Sequence, residues 1–400
     1  MFENGRTIMF NSIIAALFVN TACLTQILVA AYPSFGGSFM TILYVLCVIC
    51  FAISCLFLQR SHYFMRNSPA IFMAFLFVFL YYMTSAFIGT PYTKGRFFLM
   101  FTIISFLIPS FITINTRSLL LTIIYSSLLG TLYLDKIFIL DYNKAISMGE
   151  SYAFLVPSCA AICYLFTYLK EDHKFYKIIN IIVIIINLVY VVYIFQYGSR
   201  GPSLCILMLL VFFFVCNFSE TNYHINKKRL MMYAVVALAL YLSFIPIMTQ
   251  LSNFLNSHFN LSLNVIDKFI YLSDKSEITN GRAAIADIAI SGINDHPLLG
   301  HGIDQFSANT GINYPHNFVL QMCYDLGCVF TFIFLLYICQ KVRNTFKTYN
   351  KSNAILAIFM AFSSVPGALF SNDLWNNIAL WSFFGCAFSR TFCYKIKRYD

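Results

Sequence analysis

The chain has 400 residues, enough for two or three soluble domains, but 60% of them are hydrophobic and only 10% carry a charge. Soluble domains run at roughly 45–50% apolar and about 25% charged, so this chain could not cover a water-facing surface. A net charge of +10 invites a nucleic-acid partner, but the charges sit in the loops between apolar runs and follow topology instead.

No charged side chain occurs in the 53 residues between Arg6 and Arg60. A helix needs about 20 apolar residues to cross a hydrocarbon core of roughly 30 Å, so that stretch alone holds more than one crossing. Along the chain the apolar runs predict about twelve spans, with cores near 8–30, 39–58, 70–88, 97–114, 118–134, 151–169, 178–197, 202–217, 230–249, 317–340, 352–371 and 374–389. The first run continues from Thr7 past Ala30, longer than a signal-peptide core, and reads as a retained span. The expected fold class is all-α: a polytopic integral membrane protein with a long, partly helical outer loop between spans nine and ten. Residues 1–249 hold helices one to nine, 250–316 form the cap, and 317–400 hold helices ten to twelve and the tail.

With both termini cytoplasmic, 18 of the 26 Lys and Arg fall inside, while 11 of the 16 acids fall outside. Short loops rich in Lys and Arg stay in the cytoplasm, which sets the orientation. The thirteen cysteines lie within or at the ends of predicted spans, so no disulfide framework is implied. Cys47 and Cys50 make a CxxC inside an apolar span, where packing is the better reading.

Three constellations stand out. Gly198-Ser199-Arg200-Gly201-Pro202 joins spans seven and eight at the outer face. Its glycines allow a tight turn and Pro202 suits a first helical turn. The helix N-terminus beside Arg200 suits an anion such as phosphate, and an arginine snorkelling to lipid headgroups fits the same spacing.

The second is Gln250 to His316, 67 residues long. Loops of that length are usually functional or disordered. Leu251 to Phe269 is weakly amphipathic and suits the membrane surface. Asn280 is placed to cap a helix from Gly281 to about Ser291, ended by Gly292 and the Asp295-His296-Pro297 turn.

The third begins at Pro315-His316-Asn317. Asn317, Gln321 and Asp325 recur every four residues and share one helix face. Asp325 is the one acid placed within a span, and such acids usually face a bundle interior or a wet cavity. With His316 at the mouth of the same face a binding site is the favoured reading; a polar stripe joining helices by hydrogen bonds is the other.

The phosphate loop GxxxxGK[ST], the zinc helix HExxH, the GxSxG elbow and any Asp-x-Asp pair are missing, so neither a metal nor direct ATP use is expected. What gathers on the outer side is two arginines, a histidine and helix N-termini. Arginine's planar fork can grip a diphosphate leaving group, and a neutral histidine can take a proton from a hydroxyl.

At Gly198-Ser199-Arg200-Gly201, at Gly281-Arg282 followed by His296-Pro297-Leu298-Leu299-Gly300-His301-Gly302, and at His316-Asn317 with Leu320-Gln321 and Gly327, the chain resembles the O-antigen polymerase and O-antigen ligase superfamily of bacterial envelope glycosyltransferases. It departs from the common pattern at Pro202, Asp325 and Ala286, where alanine, glutamate and an aromatic are more usual. The resemblance implies an inner-membrane enzyme with its active site on the periplasmic face, transferring glycan from an undecaprenyl-diphosphate carrier to an acceptor hydroxyl without metal or other cofactor. Arg200 and Arg282 would bind the diphosphate and His316 would act as base or position the acceptor. Ser199, Asn317, Gln321 and Asp325 would complete the substrate site. The expected partners are the lipid-linked glycan, the bilayer and a chain-length regulator, with no nucleic acid. Polymerisation of O-antigen or a related surface polysaccharide is the expected activity. Transfer to lipid A core by a ligase is the alternative within the family, and a flippase is the alternative of another class. Against a transporter stand the single intramembrane acid and the lack of a visible repeat.

Overall fold

The structure is a computed structural model that describes residues 5–33, 42, 45–46, 49, 68–88, 93–138, 148–197, 200–219, 222–232, 249–258, 281–371 and 373–389. Numbered along the chain, its helices are α1 (Gly5–Val19), α2 (Thr21–Ala31), α3 (Ser68–Ile88), α4 (Thr93–Phe111), α5 (Thr116–Ser126), α6 (Leu134–Phe138), α7 (Met148–Thr167), α8 (Lys174–Tyr197), α9 (Arg200–Val215), α10 (Arg282–Asp295), α11 (Gln305–Thr310), α12 (Phe318–Leu326), α13 (Cys328–Lys347), α14 (Lys351–Phe362), α15 (Val365–Phe370) and α16 (Ile378–Phe388). A short antiparallel hairpin, β1 (Cys216–Phe218) and β2 (Tyr223–Ile225), sets Asn217 opposite His224. Helix dominates for a physical reason: an apolar run in hydrocarbon must satisfy its own backbone N–H and C=O groups, and a helix does so within one segment.

Most predicted spans coincide with helix, but several are broken. Span one stops at Asn20, between α1 and α2, and span five passes from α5 into a 3-10 turn at Leu128–Tyr133. Span ten is split at Gly327, and span eleven at 363–364, between α14 and α15. Spans two and nine fall largely outside the described residues. Among the described residues three helical stretches are long and apolar enough to cross a membrane, Gly149–Thr167, Lys174–Gln196 and Lys351–Phe370, and α1 with α2 would make a fourth.

The chain divides into two compact units. One comprises Asn20–Ile42 and Leu120–Gly281. Its centre is α7, whose Phe154, Cys159, Ala160, Cys163 and Tyr164 are buried. Polar brackets hold its bends: Asn20 Nδ2 donates to Ser127 Oγ at 2.9 Å, and Tyr190 donates its hydroxyl proton to the Ser127 carbonyl. After α7, Asp172 accepts from Tyr164 Oη at 2.9 Å and from Asn180 Nδ2 at 2.7 Å, which ties the connection to α8.

The other unit comprises Met1–Val19, Leu43–Leu119 and Arg282–Asp400. Here α16 lies so close to α4 that a Cβ on Gly385 would stand 2.2 Å from the Phe106 carbonyl oxygen, the backbone approach that small residues allow between membrane helices. Around that seam Trp381 meets Phe77 edge-on at 5.2 Å and Phe384 at 5.4 Å.

The long loop is partly helical where it is described. Residues 249–258 are helical, and the rest of the amphipathic stretch, with Asn280, lies outside the described residues. Contrary to the expectation that Gly292 ends the next helix, α10 runs through it to Asp295. Gly292 serves packing: a Cβ there would stand 2.2 Å from Cε2 of Tyr324.

Candidate functional site

The site grows from the turn that follows α15. Gly281, at φ +74°, turns the chain into α10 and makes Arg282 its first residue. The guanidinium reaches the end of α15, where Nη1 donates to the Phe370 carbonyl and Nη2 to Ser371 Oγ at 3.2 Å. Those two bonds use two of its five N–H donors, leaving three among the described residues for a ligand.

His316 meets the same turn from the other side. Its imidazole hydrogen-bonds the Ser371 backbone and packs edge-on against Tyr314 at 4.4 Å. Tyr314 Oη donates to the Ser371 carbonyl at 3.3 Å. The His316 backbone sits at φ +57°, one of two non-glycine residues with positive φ among those described; such strained conformations cluster at functional sites. Nδ1 of His316 is buried without a hydrogen-bond partner. Burial, and then the Arg282 charge, push the imidazole below its ordinary 6.5, against the Ser371 bond, which raises it. A neutral imidazole that donates through one nitrogen carries a lone pair on the other, so this histidine can accept a proton at neutral pH.

Helix α12 then holds this turn in place. Asn317 is its N-cap, accepting from Val319 N at 2.9 Å and Leu320 N at 3.2 Å. One turn on, Gln321 donates through Nε2 to Asp373 Oδ1 at 2.8 Å and accepts from Leu374 N at 2.9 Å. Another turn on, the carboxylate of Asp325 accepts from Trp375 Nε1 at 2.6 Å, Asp304 N at 3.2 Å and Phe306 N at 3.4 Å. Gln321 and Asp325 thus bind protein: they clamp Asp373, Leu374 and Trp375 to one side of α12 and the loop around Asp304 to its C-terminal end, while Asn317 caps α12 itself.

Asp373 belongs to this cluster and was not singled out from sequence. Burial raises its carboxyl, against the Gln321 amide and neighbouring backbone N–H groups. Burial and the Asp373 charge raise the Tyr314 phenol, and Arg282 opposes them. No spacing rule links residue 373 to residue 316, since only the fold brings them together.

The segment from His296 to Gly302 has a different part. It straps the break between α12 and α13: His301 N bonds the Tyr324 carbonyl at 2.8 Å, Gly302 N the Asp325 carbonyl at 2.9 Å, and Cys328 N the Pro297 carbonyl at 2.8 Å. Cβ atoms on Gly300 or Gly327 would stand 2.6 Å from Asp325 backbone and 2.0 Å from the Leu298 oxygen, at φ +69° and +83°. His301 stacks on Tyr324 at 4.3 Å and bonds the Gly292 carbonyl through Nε2 at 2.8 Å.

Arg200 is the first residue of α9, in the other unit, and Ser199 lies outside the described residues. Of the residues nominated from sequence, Arg282 and His316 meet at Ser371, and Asn317, Gln321 and Asp325 build the wall behind them.

A helical, apolar chain with this cluster is a membrane protein. Residues 185–336 match a family model described as O-antigen ligase. All three motif groups lie inside that match, so this part of the chain is similar to the O-antigen ligase family. No curated protein matches it.

Proposed function

We propose that the protein is a membrane glycosyltransferase that polymerises undecaprenyl-diphosphate-linked repeat units into O-antigen or a related surface polysaccharide, at the outer face of the inner membrane and with both termini cytoplasmic. One observation carries the reading: a cation with donors to spare and a neutral, half-buried imidazole share the Ser371 turn. In the reaction an acceptor hydroxyl attacks the anomeric carbon of the carrier-linked sugar. Its proton passes to His316 as the bond to the diphosphate breaks, and Arg282 stabilises the charge that develops on that leaving group. Arg200 keeps the second diphosphate-binding role that the resemblance gives it. The charge on the leaving group is met by arginine, so no metal is needed.

The test is purified protein supplied with lipid-linked repeat unit in excess EDTA. A ladder of polymer is expected, and its abolition by EDTA with rescue by a divalent cation would overturn the metal-free route. The family description favours a second reading, ligation to lipid A core. Transfer to that acceptor, with no ladder from repeat unit alone, would establish it in place of polymerisation. Orientation is tested separately: a cysteine at Thr310 should react with an impermeant maleimide in spheroplasts, and one at Thr348 only after permeabilisation.

A further inference from the structure

The strap loop carries two leucines that the site does not use. Leu298 and Leu299 are 66% and 76% exposed, at the tip of the loop bound to the α12–α13 break. Immediately beside them α13 begins, and Val329, Phe332, Ile333 and Leu336 are also at least half exposed. Those positions fall three and four apart, a single outward stripe, while Phe334 on the opposite face is buried. The leucines therefore extend the apolar stripe of α13 rather than standing alone.

Depth follows from helix geometry. The apolar part of α13 ends at Tyr337 and Lys341, whose Nζ lies 5.1 Å from the Tyr337 ring centre, an aromatic and basic pair typical of a membrane interface. From Lys341 back to Cys328 is 13 residues, or roughly 20 Å at 1.5 Å per residue, against a hydrocarbon core of about 30 Å. With α13 as the inner part of the span expected over 317–340 and Lys341 at its interface, the start of α13 and the loop bound to it would stand about 10 Å inside the far edge of that core, and tilting the helix would only deepen them. Non-helical backbone is tolerated at such depth where protein satisfies it. The two ends of the loop meet that condition: the Pro297 carbonyl accepts from Cys328 N at 2.8 Å and Gly300 N bonds the His296 carbonyl at 3.0 Å, with Leu298 and Leu299 at the tip between them.

We propose that the loop 297–300 is a re-entrant anchor whose Leu298 and Leu299 insert into the acyl chains of bilayer phospholipid. The leaflet is the outer one if the orientation above holds; the insertion itself does not depend on it, or on any catalytic role.

The two native tryptophans are both buried, so a third placed at the tip can be read against a quiet background. Leu299→Trp protein is reconstituted into phosphatidylcholine vesicles, with Leu298→Trp as a second variant should the first fail to fold. The added emission is expected to be blue-shifted, lost when the phospholipid is brominated on its acyl chains, and insensitive to aqueous iodide. Red-shifted emission quenched by iodide would place the loop in water and overturn the proposal. Emission quenched by neither would mean that a second copy or the chain itself covers the tip, and would overturn it equally. Since no glycan substrate enters the assay, a failure here leaves the proposed reaction standing, and the reverse.

Discussion

Two motif-bearing stretches of one unit, His296–Gly302 and Tyr314–Asn317, make an instructive pair. Both are irregular backbone beside α12, and each has a non-glycine or glycine residue in the left-handed region. In the first, the backbone N–H groups of His301 and Gly302 are bonded and the glycines fit where no Cβ would. In the second, an imidazole nitrogen is buried without a partner beside a guanidinium. A satisfied motif makes shape, and an unsatisfied one holds chemical potential. Motif residues therefore divide by what their polar atoms lack.

The sharpest way to break that division is at His316. His316→Gln keeps a hydrogen-bonding side chain but cannot act as a base at neutral pH, and polymerisation by purified protein should fall about 10²- to 10⁴-fold. Near-normal turnover would reduce the histidine to positioning. Arg282→Lys keeps the charge and loses the fork; a loss of about 10²- to 10³-fold is expected in the same assay, with membrane levels unchanged.

The strap should answer differently. Gly327→Ala drives a Cβ into the Leu298 carbonyl at a positive φ. That strain alone costs about 1–3 kcal/mol before the clash is counted, so the amount of folded protein in the membrane should fall, with activity lost in proportion. Normal protein levels with no activity would move the strap into the chemistry. Trp375→Phe removes one donor from the buried Asp325 carboxylate and should cost about 1–3 kcal/mol of stability, measured as a lower melting temperature in detergent.

The smallest effect is on pH. His316 is held below 6.5 by burial and Arg282, so it loses its proton-accepting form only as pH falls beneath that value. The acid limb of the rate should therefore lie below pH 6.5. In Arg282→Gln the residual activity should lose its acid side at higher pH than wild type, because a neighbouring positive charge no longer disfavours the imidazolium. An unmoved limb would separate the two residues.

Much of this was legible in the residues. Charge-poor apolar runs had to become helices, because hydrocarbon leaves their backbone no other partner, and the order of glycine, arginine and histidine motifs pointed to Arg282 and His316. Local patterns did not reveal breaks inside apolar runs. Asn20 interrupts one because distant serines meet its amide, and Gly327 interrupts another because the Leu298 carbonyl needs its empty side.

Periodicity alone placed Asn317, Gln321 and Asp325 on one face, a face that would suit either a ligand or another segment of the chain. Tertiary structure brought Asp373, Leu374 and Trp375 against Gln321 and Asp325 from some 50 residues downstream. It also brought Ser371 to both Arg282 and His316. Sequence determines which groups a chain has and how a helix displays them. Which polar atoms are left without a protein partner depends on long-range packing, and only the folded chain decides it.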